Sequence, residues 1–483
     1  MVRETPTLGL SERWSLSRHN VGSPITVVYH ASLPAGVISE DDLKKAVVES
    51  SNAYPILLCG VGGANTRHPR YVKRKNIGPD DIVKVVELEE ENTLSDLVDR
   101  GVIEGKSFDP SSGPLWRLQL HRFACSTTRP PRDRIVLLID HILCDGLGAR
   151  NLFTDLLGSL SGIPIPTQPE GLPSRLDDTV DLQPEKEDAP PISSTIASHL
   201  KSITQQATSY VSPAPTYNKF PLKPAADYDS ITAPQQFSEF DLSPSELSAL
   251  LSEGKKHGIP TIHPVIHIAC LVALYRAITP SAAWTFDTSV PISDRREDLG
   301  HPRATGNYVT FHFSTDRIDQ STLFWKHVRD FSMELRQPKT KVVARKTLGK
   351  LALINDDQPE DGDSSLWEEY LIRLVNDPSG PHKLSLAVSN VGIIDVPTSG
   401  KLAGQVQDVY FSQAASAMGG CAVVSIVTTK GGSMTISICS KIGSFPPGVF
   451  EPFSQQLKPI LQAVARGDIG EETKAGDAIP GLL

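Results

Sequence analysis

RIVLLIDHILCDGLGARNLFTDLL, residues 134–157, is the stretch whose reading decides the fold. Arg134 to Ile139 is a β-branched and Leu-rich run, the pattern of a strand buried on both faces. It ends in Asp140-His141, and Asp145-Gly146 follow four residues after the histidine. Leu147, Leu152, Phe153, Leu156 and Leu157 then fall near helical spacing, so a helix follows. His141 therefore stands where a buried strand gives way to a turn, a position that holds a side chain in a cleft with little freedom. An imidazole there takes up a proton near neutral pH. Asp145 is expected to hold the turn rather than to be a second catalyst, and Gly146 to permit tight backbone geometry. With 13 histidines, about 0.05 copies of His-x-x-x-Asp-Gly arise by chance at average residue usage. The strand before it and the helix after it supply the context that a chance copy lacks.

The rest of the composition bounds the problem. A chain of 483 residues is too long for one ordinary core, and two domains of about 200 residues each are the natural division. Hydrophobic content of 39% and charged content of 21% describe a globular protein. The net charge of −9 argues against nucleic acid, since neutralising phosphates needs clustered Lys and Arg. The basic run at 67–75 is the exception, and it reads as a solvated strand edge. Six cysteines lie far apart with no C-x-x-C pair, which suits reduced thiols and a cytoplasmic location. The opening MVRETPTLGLSERWSL has no apolar signal core, and no run of about 18 apolar residues occurs. A transmembrane segment is therefore not expected, while a peripheral lipid contact stays open.

Along the chain, residues 12–30 read as a turn followed by a strand over 25–30. Ser39 caps a helix that continues to about Ser51. A strand is expected over 69–76, a short helix capped by Thr93 over 93–101, and a strand over 115–123. From 161 to 234 proline is frequent and only 192–210 has a modest helical pattern, so this stretch reads as a crossover. The expected division is 1–160, a Pro-rich crossover 161–234, and 235–483. The second part opens with a strand over 236–242 and a helix capped by Ser243 with Pro244 at its first position. A buried helix over 261–278 carries His263 and His267 at i,i+4, but no third ligand stands at sensible spacing, so core lining is expected and no metal. Strands follow over 284–290, 307–314, 384–389, 408–411, 421–429 and 434–440, with helices over 323–335 and 453–465.

HILCDG is the His-x-x-x-Asp-Gly pattern of the CoA-dependent acyltransferase superfamily, which includes chloramphenicol acetyltransferase and peptide-synthetase condensation domains. Over about residues 8–466 the chain resembles the fungal alcohol acetyltransferases within it. The resemblance rests also on LGLSERWSLSRHN at the start, PISDRR at 291–296, GNYV at 306–309 and SNVG at 389–392, while FDPSSGPLWR at 108–117 resembles a segment of the condensation-type proteins. Two departures are that Asp140 stands where many relatives have a second His, and that the Asp-Phe-Gly-Trp-Gly element of the plant enzymes is missing.

The resemblance implies an α/β fold of two chloramphenicol acetyltransferase-like domains, each a mixed sheet flanked by helices, meeting at an active-site tunnel with His141 midway. It further implies that Asp145 pairs with Arg295, with Arg296 as the alternative. An acyl-CoA, in the first place acetyl-CoA, is the implied cosubstrate, with no bound cofactor, and a small alcohol is the acceptor, in secondary metabolism or ester formation. A monomer is expected. His141 would serve as general base in a direct transfer without a covalent intermediate. Donors to the developing oxyanion remain open among Ser389, Asn390, Ser412 and Gln413. Cys144 reads as a buried small residue rather than a nucleophile. No P-loop, HExxH or GxSxG signature is present. Two other readings stay open: a condensation-type catalyst fed by a carrier protein, for which 361–366 is a faint attachment-site match, and a non-catalytic scaffold.

Overall fold

The computed structural model describes residues 7–66, 68–88, 94–123, 132–183, 218–221, 224–225, 227–278, 283–354, 365–406 and 408–479. In chain order the first half supplies β1 (Thr26–Pro34), β2 (Cys59–Gly62), β3 (Arg70–Lys73), β4 (Val83–Leu88), β5 (Trp116–Phe123), β6 (Arg132–Asp140) and β7 (Asn218–Phe220). The second half supplies β8 (Gln235–Leu242), β9 (Trp284–Ser293), β10 (Val309–Ile318), β11 (His382–Ile394), β12 (Val409–Gln413), β13 (Gly419–Thr429) and β14 (Met434–Lys441). One five-stranded sheet runs β12-β1-β6-β5-β4, and a seven-stranded sheet runs β10-β9-β11-β13-β14-β8 with β7 beside β9. Both are mixed: β4 is parallel to β5, β11 is parallel to β9 and β13, and β7 is parallel to β9, while the remaining pairs are antiparallel.

Each sheet has its own apolar core. β6 lies between β1 and β5, and Ile135 to Asp140 are buried without interruption, as a strand covered on both faces requires. On one face Leu138 and Val28 meet Gly101 of the helix Leu94–Lys106. On the other, Tyr29 meets Phe153 of the helix Gly146–Leu160 and stacks on Phe411 at 5.0 Å. Burying each of Leu137, Leu138 and Ile139 stabilises the fold by about 1.5–3 kcal/mol.

The strand at 409–413 lies in the second half of the sequence yet completes the first sheet. β12 pairs antiparallel with β1, Val27 facing Gln413 and Ala31 facing Val409. Its other edge is satisfied by side chains of the second sheet. Thr435 and Ser437 donate their hydroxyls to the carbonyls of Val409 and Phe411 at 2.9 Å. The expected division at 235 is therefore crossed by β12, as it is by β7, and β12 ties the sheets together.

Ser39 and Ser243 cap their helices in full capping boxes with Asp42 and Glu246, as the sequence pattern indicates. Residues 10–20 depart from expectation. Read as a turn, they form the helix Leu10–Asn20, whose buried face is Glu12, Arg13, Ser17 and Arg18. A helix that buries polar groups shows no apolar stripe, so periodicity passes over it. The helices Pro338–Gly349 and Leu366–Val375 were also not foreseen. The helical pattern at 192–210, the cap at Thr93 and most of 361–366 lie outside the described residues, as do Arg67 and Cys125. Among the described residues no helix is long and apolar enough to cross a membrane.

Candidate active site

The end of β6 is clamped at several of the backbone groups that precede the motif helix. His141 donates its N–H to the Ile25 carbonyl at 3.0 Å, and its own carbonyl accepts Asn307 Nδ2 at 2.9 Å. Ile142 donates to Asp140 Oδ1 at 2.8 Å, and its carbonyl accepts the Tyr71 hydroxyl at 2.6 Å. Gly306 bonds the turn from both sides, its N–H to Leu143 and its carbonyl to the Asp145 N–H. Gly306 has φ +81°, and a Cβ there would lie 2.6 Å from the Tyr308 ring, so glycine is required. An imidazole whose backbone is held this way keeps its aim.

His141 sits deep in the fold, and the hydrogen bond of its ring is to its own backbone. The residue as a whole nevertheless keeps some solvent-accessible surface. Burial lowers its pKa below the usual 6.5, and nearby Arg18 acts the same way. Asp145 and Asp140 pull upward without reversing the shift. The imidazole is thereby neutral at physiological pH. Two surface hollows, one between Tyr54 and Pro302 and one between Leu8 and Trp367, are not lined by His141.

Asp145 caps the motif helix Gly146–Leu160, accepting Gly148 N–H on Oδ1 at 2.7 Å. The same oxygen accepts Arg295 Nη2 at 2.7 Å, and Oδ2 accepts the Tyr308 N–H at 2.8 Å. Arg295 also donates to the carbonyls of Pro302, Thr305 and Gly306 and lies over the Tyr308 ring at 4.7 Å. Arg296 points elsewhere, to Asp298 at the surface. Gly146 differs from expectation in its reason. Its backbone is ordinary helix, and a Cβ there would press on Val391 at 3.2 Å and lie in contact with the Phe411 ring at 3.5 Å. Cys144 is fully buried, and burial beside Asp145 holds its thiol well above the ordinary range.

The structure sorts the four oxyanion candidates by face. Gln413 is in register with Val27 and Ile139, on the face that carries Phe411 and the motif helix. Its Nε2 donates to Ser425 Oγ at 3.3 Å, and Ser425 is in register with Ser389 on β11. Ser389 alternates with Val391, which touches Gly146. Gln413, Ser389 and Ser425 are thus brought together on the motif side. Ser412 shares the opposite face with Val28 and Leu138, its buried hydroxyl without a partner. Asn390 turns its Oδ1 onto the Gly392 N–H at 2.8 Å. His263 and His267 pack with Phe331 in the second core. Among the described residues no three His, Cys, Asp or Glu are disposed to hold a metal.

The profile of one family, described as alcohol acetyltransferase, matches residues 91–444. The chain belongs to the alcohol acetyltransferase family. As a family member it is an acyltransferase. No curated protein sequence matches it. Solved structures share its fold at low identity. The condensation domain of the monacolin K polyketide synthase aligns with TM-score 0.61 and 14% identity, covering 97% of this chain and 98% of that one. The trichothecene 15-O-acetyltransferase of Fusarium sporotrichioides aligns with TM-score 0.59 and 12% identity, over 95% and 94%. Polyketide synthase associated protein 5 from Mycobacterium tuberculosis aligns with TM-score 0.59 and 14% identity, over 96% and 100%. These likenesses show the two-domain chloramphenicol acetyltransferase-like fold for this alcohol acetyltransferase family chain.

Tyr71, Gly306, Asn307, Tyr308 and Ser425 are site residues that motif reading passed over. GNYV had been noted only as a matching segment. The signal in it was a glycine followed by an amide side chain, a pair suited to lying against another backbone.

Proposed function

We propose that the chain transfers an acyl group, acetyl in the first place, from a CoA thioester to the hydroxyl of a small alcohol, with His141 as general base. The observation that carries this reading is the placement of His141: at the end of a buried strand, its backbone clamped on both sides and its ring shifted by burial toward the neutral form. An alcohol ionises far above imidazole, so free alkoxide is scarce at neutral pH. His141 takes the hydroxyl proton as the oxygen attacks the thioester carbonyl. The C–O bond forms, the carbonyl becomes an oxyanion, and the C–S bond then breaks. The imidazolium returns the proton to the departing thiolate, leaving ester and CoA thiol. Holding both substrates against one ring supplies much of the rate by proximity. Gln413, Ser389 and Ser425 are the preferred donors to the oxyanion, since they share the motif face. Asp145 and Arg295 act from outside the reaction, fixing the turn.

Two domains divided by a crossover at 161–234, with the substrates entering a tunnel between them from opposite mouths, are part of the same proposal. The test is CoA thiol release with acetyl-CoA and a panel of primary and secondary alcohols. Release that vanishes in His141→Ala supports the reading, and release unchanged in that variant overturns it. Turnover only with a carrier-bound acyl chain would move the assignment to the condensation-type reaction.

A further inference from the structure

Beside the catalytic turn lies a second histidine whose surroundings are unusual. His19 ends the helix Leu10–Asn20 and is almost wholly buried. Its Nδ1 lies 2.9 Å from Asp140 Oδ2, and its Nε2 lies 2.8 Å from the Phe108 carbonyl oxygen. A carbonyl only accepts, so Nε2 must carry a hydrogen. The second contact then needs another proton, on the ring or on the carboxyl. The pair therefore holds one proton more than a neutral imidazole facing a carboxylate. Asp140 is also the residue whose other oxygen accepts the Ile142 N–H, so the pair grips the chain on both sides of His141.

We propose that His19 is a positioning residue for His141: with Asp140 it pins the entrance to the turn and cancels that carboxylate's charge beside the base. This role presupposes the reading of His141 given above. The charged groups around the pair agree with it. Asp140 faces His19 from the end of β6 and Asp109 from the loop before β5, while Arg18, on the same helix, acts on both Asp140 and His141. Burial disfavours the charge on His19, but the hydrogen bond and charge of Asp140, the Phe108 carbonyl and Asp109 together outweigh it and raise its pKa above 6.5. The C-terminal end of a helix favours a cation in the same sense. The two imidazoles are thus driven apart, His19 toward its charged form and His141 toward its neutral one.

Loss of the His19 proton leaves only Arg18 to offset Asp140, and a carboxylate less fully offset near His141 raises the proton affinity of the base. Histidine-labelled full-length protein, titrated by carbon–proton NMR with His141→Gln and His19→Gln used for assignment, reads both rings without turnover. His19→Gln is expected to raise the His141 pKa by about one unit, and Asp140→Asn to lower it. The double variant is expected to restore the wild-type position, which a merely structural role does not do. The acid limb of kcat/KM should move with the NMR value. A His141 titration unmoved by His19→Gln in folded protein overturns the proposal. So does a shift that persists in the double variant. Should His19→Gln fail to fold, Asp140→Asn alone decides by the sign of its shift. If His141→Ala retains activity, the base assignment falls while the NMR coupling between the rings is still measured.

Discussion

A general base, the role proposed for His141, is useful only while it is unprotonated, and burial shifts that balance toward the neutral ring. Its neutral form persists below pH 6.5, so kcat/KM should hold through pH 6.5 and fall as pH drops through the lowered pKa. A pH–rate profile whose acid limb lies above 6.5 would falsify that placement. The Asp145–Arg295 pair makes a different prediction, because both side chains are nearly inaccessible. Asp145→Ala strands the arginine charge and removes the helix cap, so urea unfolding should show a loss of about 3–5 kcal/mol. Asp145 and Arg295 were legible in the sequence because each stands in a motif, HILCDG and PISDRR. Asn307 and Tyr71 were not. They bind the carbonyls of His141 and Ile142 across long sequence separations, and a side chain reaching a distant backbone leaves no spacing to read.

At the scale of elements, the helix Leu10–Asn20 carries a cost that depends on pH. Burial, with Asp177 adding to it, raises the Glu12 pKa from 4.5 to about 7, and its Oε2 has no partner. The folded state therefore binds this proton more tightly than the unfolded chain. Stability from this group is full below pH 4.5 and is lost as pH rises to about 7, by on the order of 3 kcal/mol at most. Glu12→Gln should accordingly melt higher than wild type at pH 8 and show no such gain at pH 4, measured by thermal scans. The same buried polar face hid the helix from periodicity. β12 was legible as a strand, but its partner was not. Phe411 on it supports the motif turn from beneath, and Phe411→Ala is expected to destabilise by about 3–5 kcal/mol in denaturant titration. An Ala variant of near wild-type stability would show that the turn does not rest on that ring.

For the whole molecule, two domains could be anticipated from length and their α/β character from the family resemblance, and two sheets with two cores are what the chain forms. What sequence could not show is that the first sheet borrows its last strand. Residues 1–234 expressed alone lack β12, leaving β1 as a bare edge with buried residues along it. Such an edge invites pairing between chains. That fragment should aggregate or stay unfolded by size-exclusion chromatography and circular dichroism, and adding residues 235–483 in trans should recover soluble material. A soluble, folded fragment would mean the crossing is dispensable.

All five described cysteines are buried, and burial pushes the Cys59 thiol up to about 12 and the others the same way. Sulfur reagents need an exposed thiolate to attack. An aromatic disulfide dye added to the working protein should therefore colour in proportion to liberated coenzyme, with at most Cys125 adding a constant background. The fold thus leaves its own reaction open to continuous colorimetric recording.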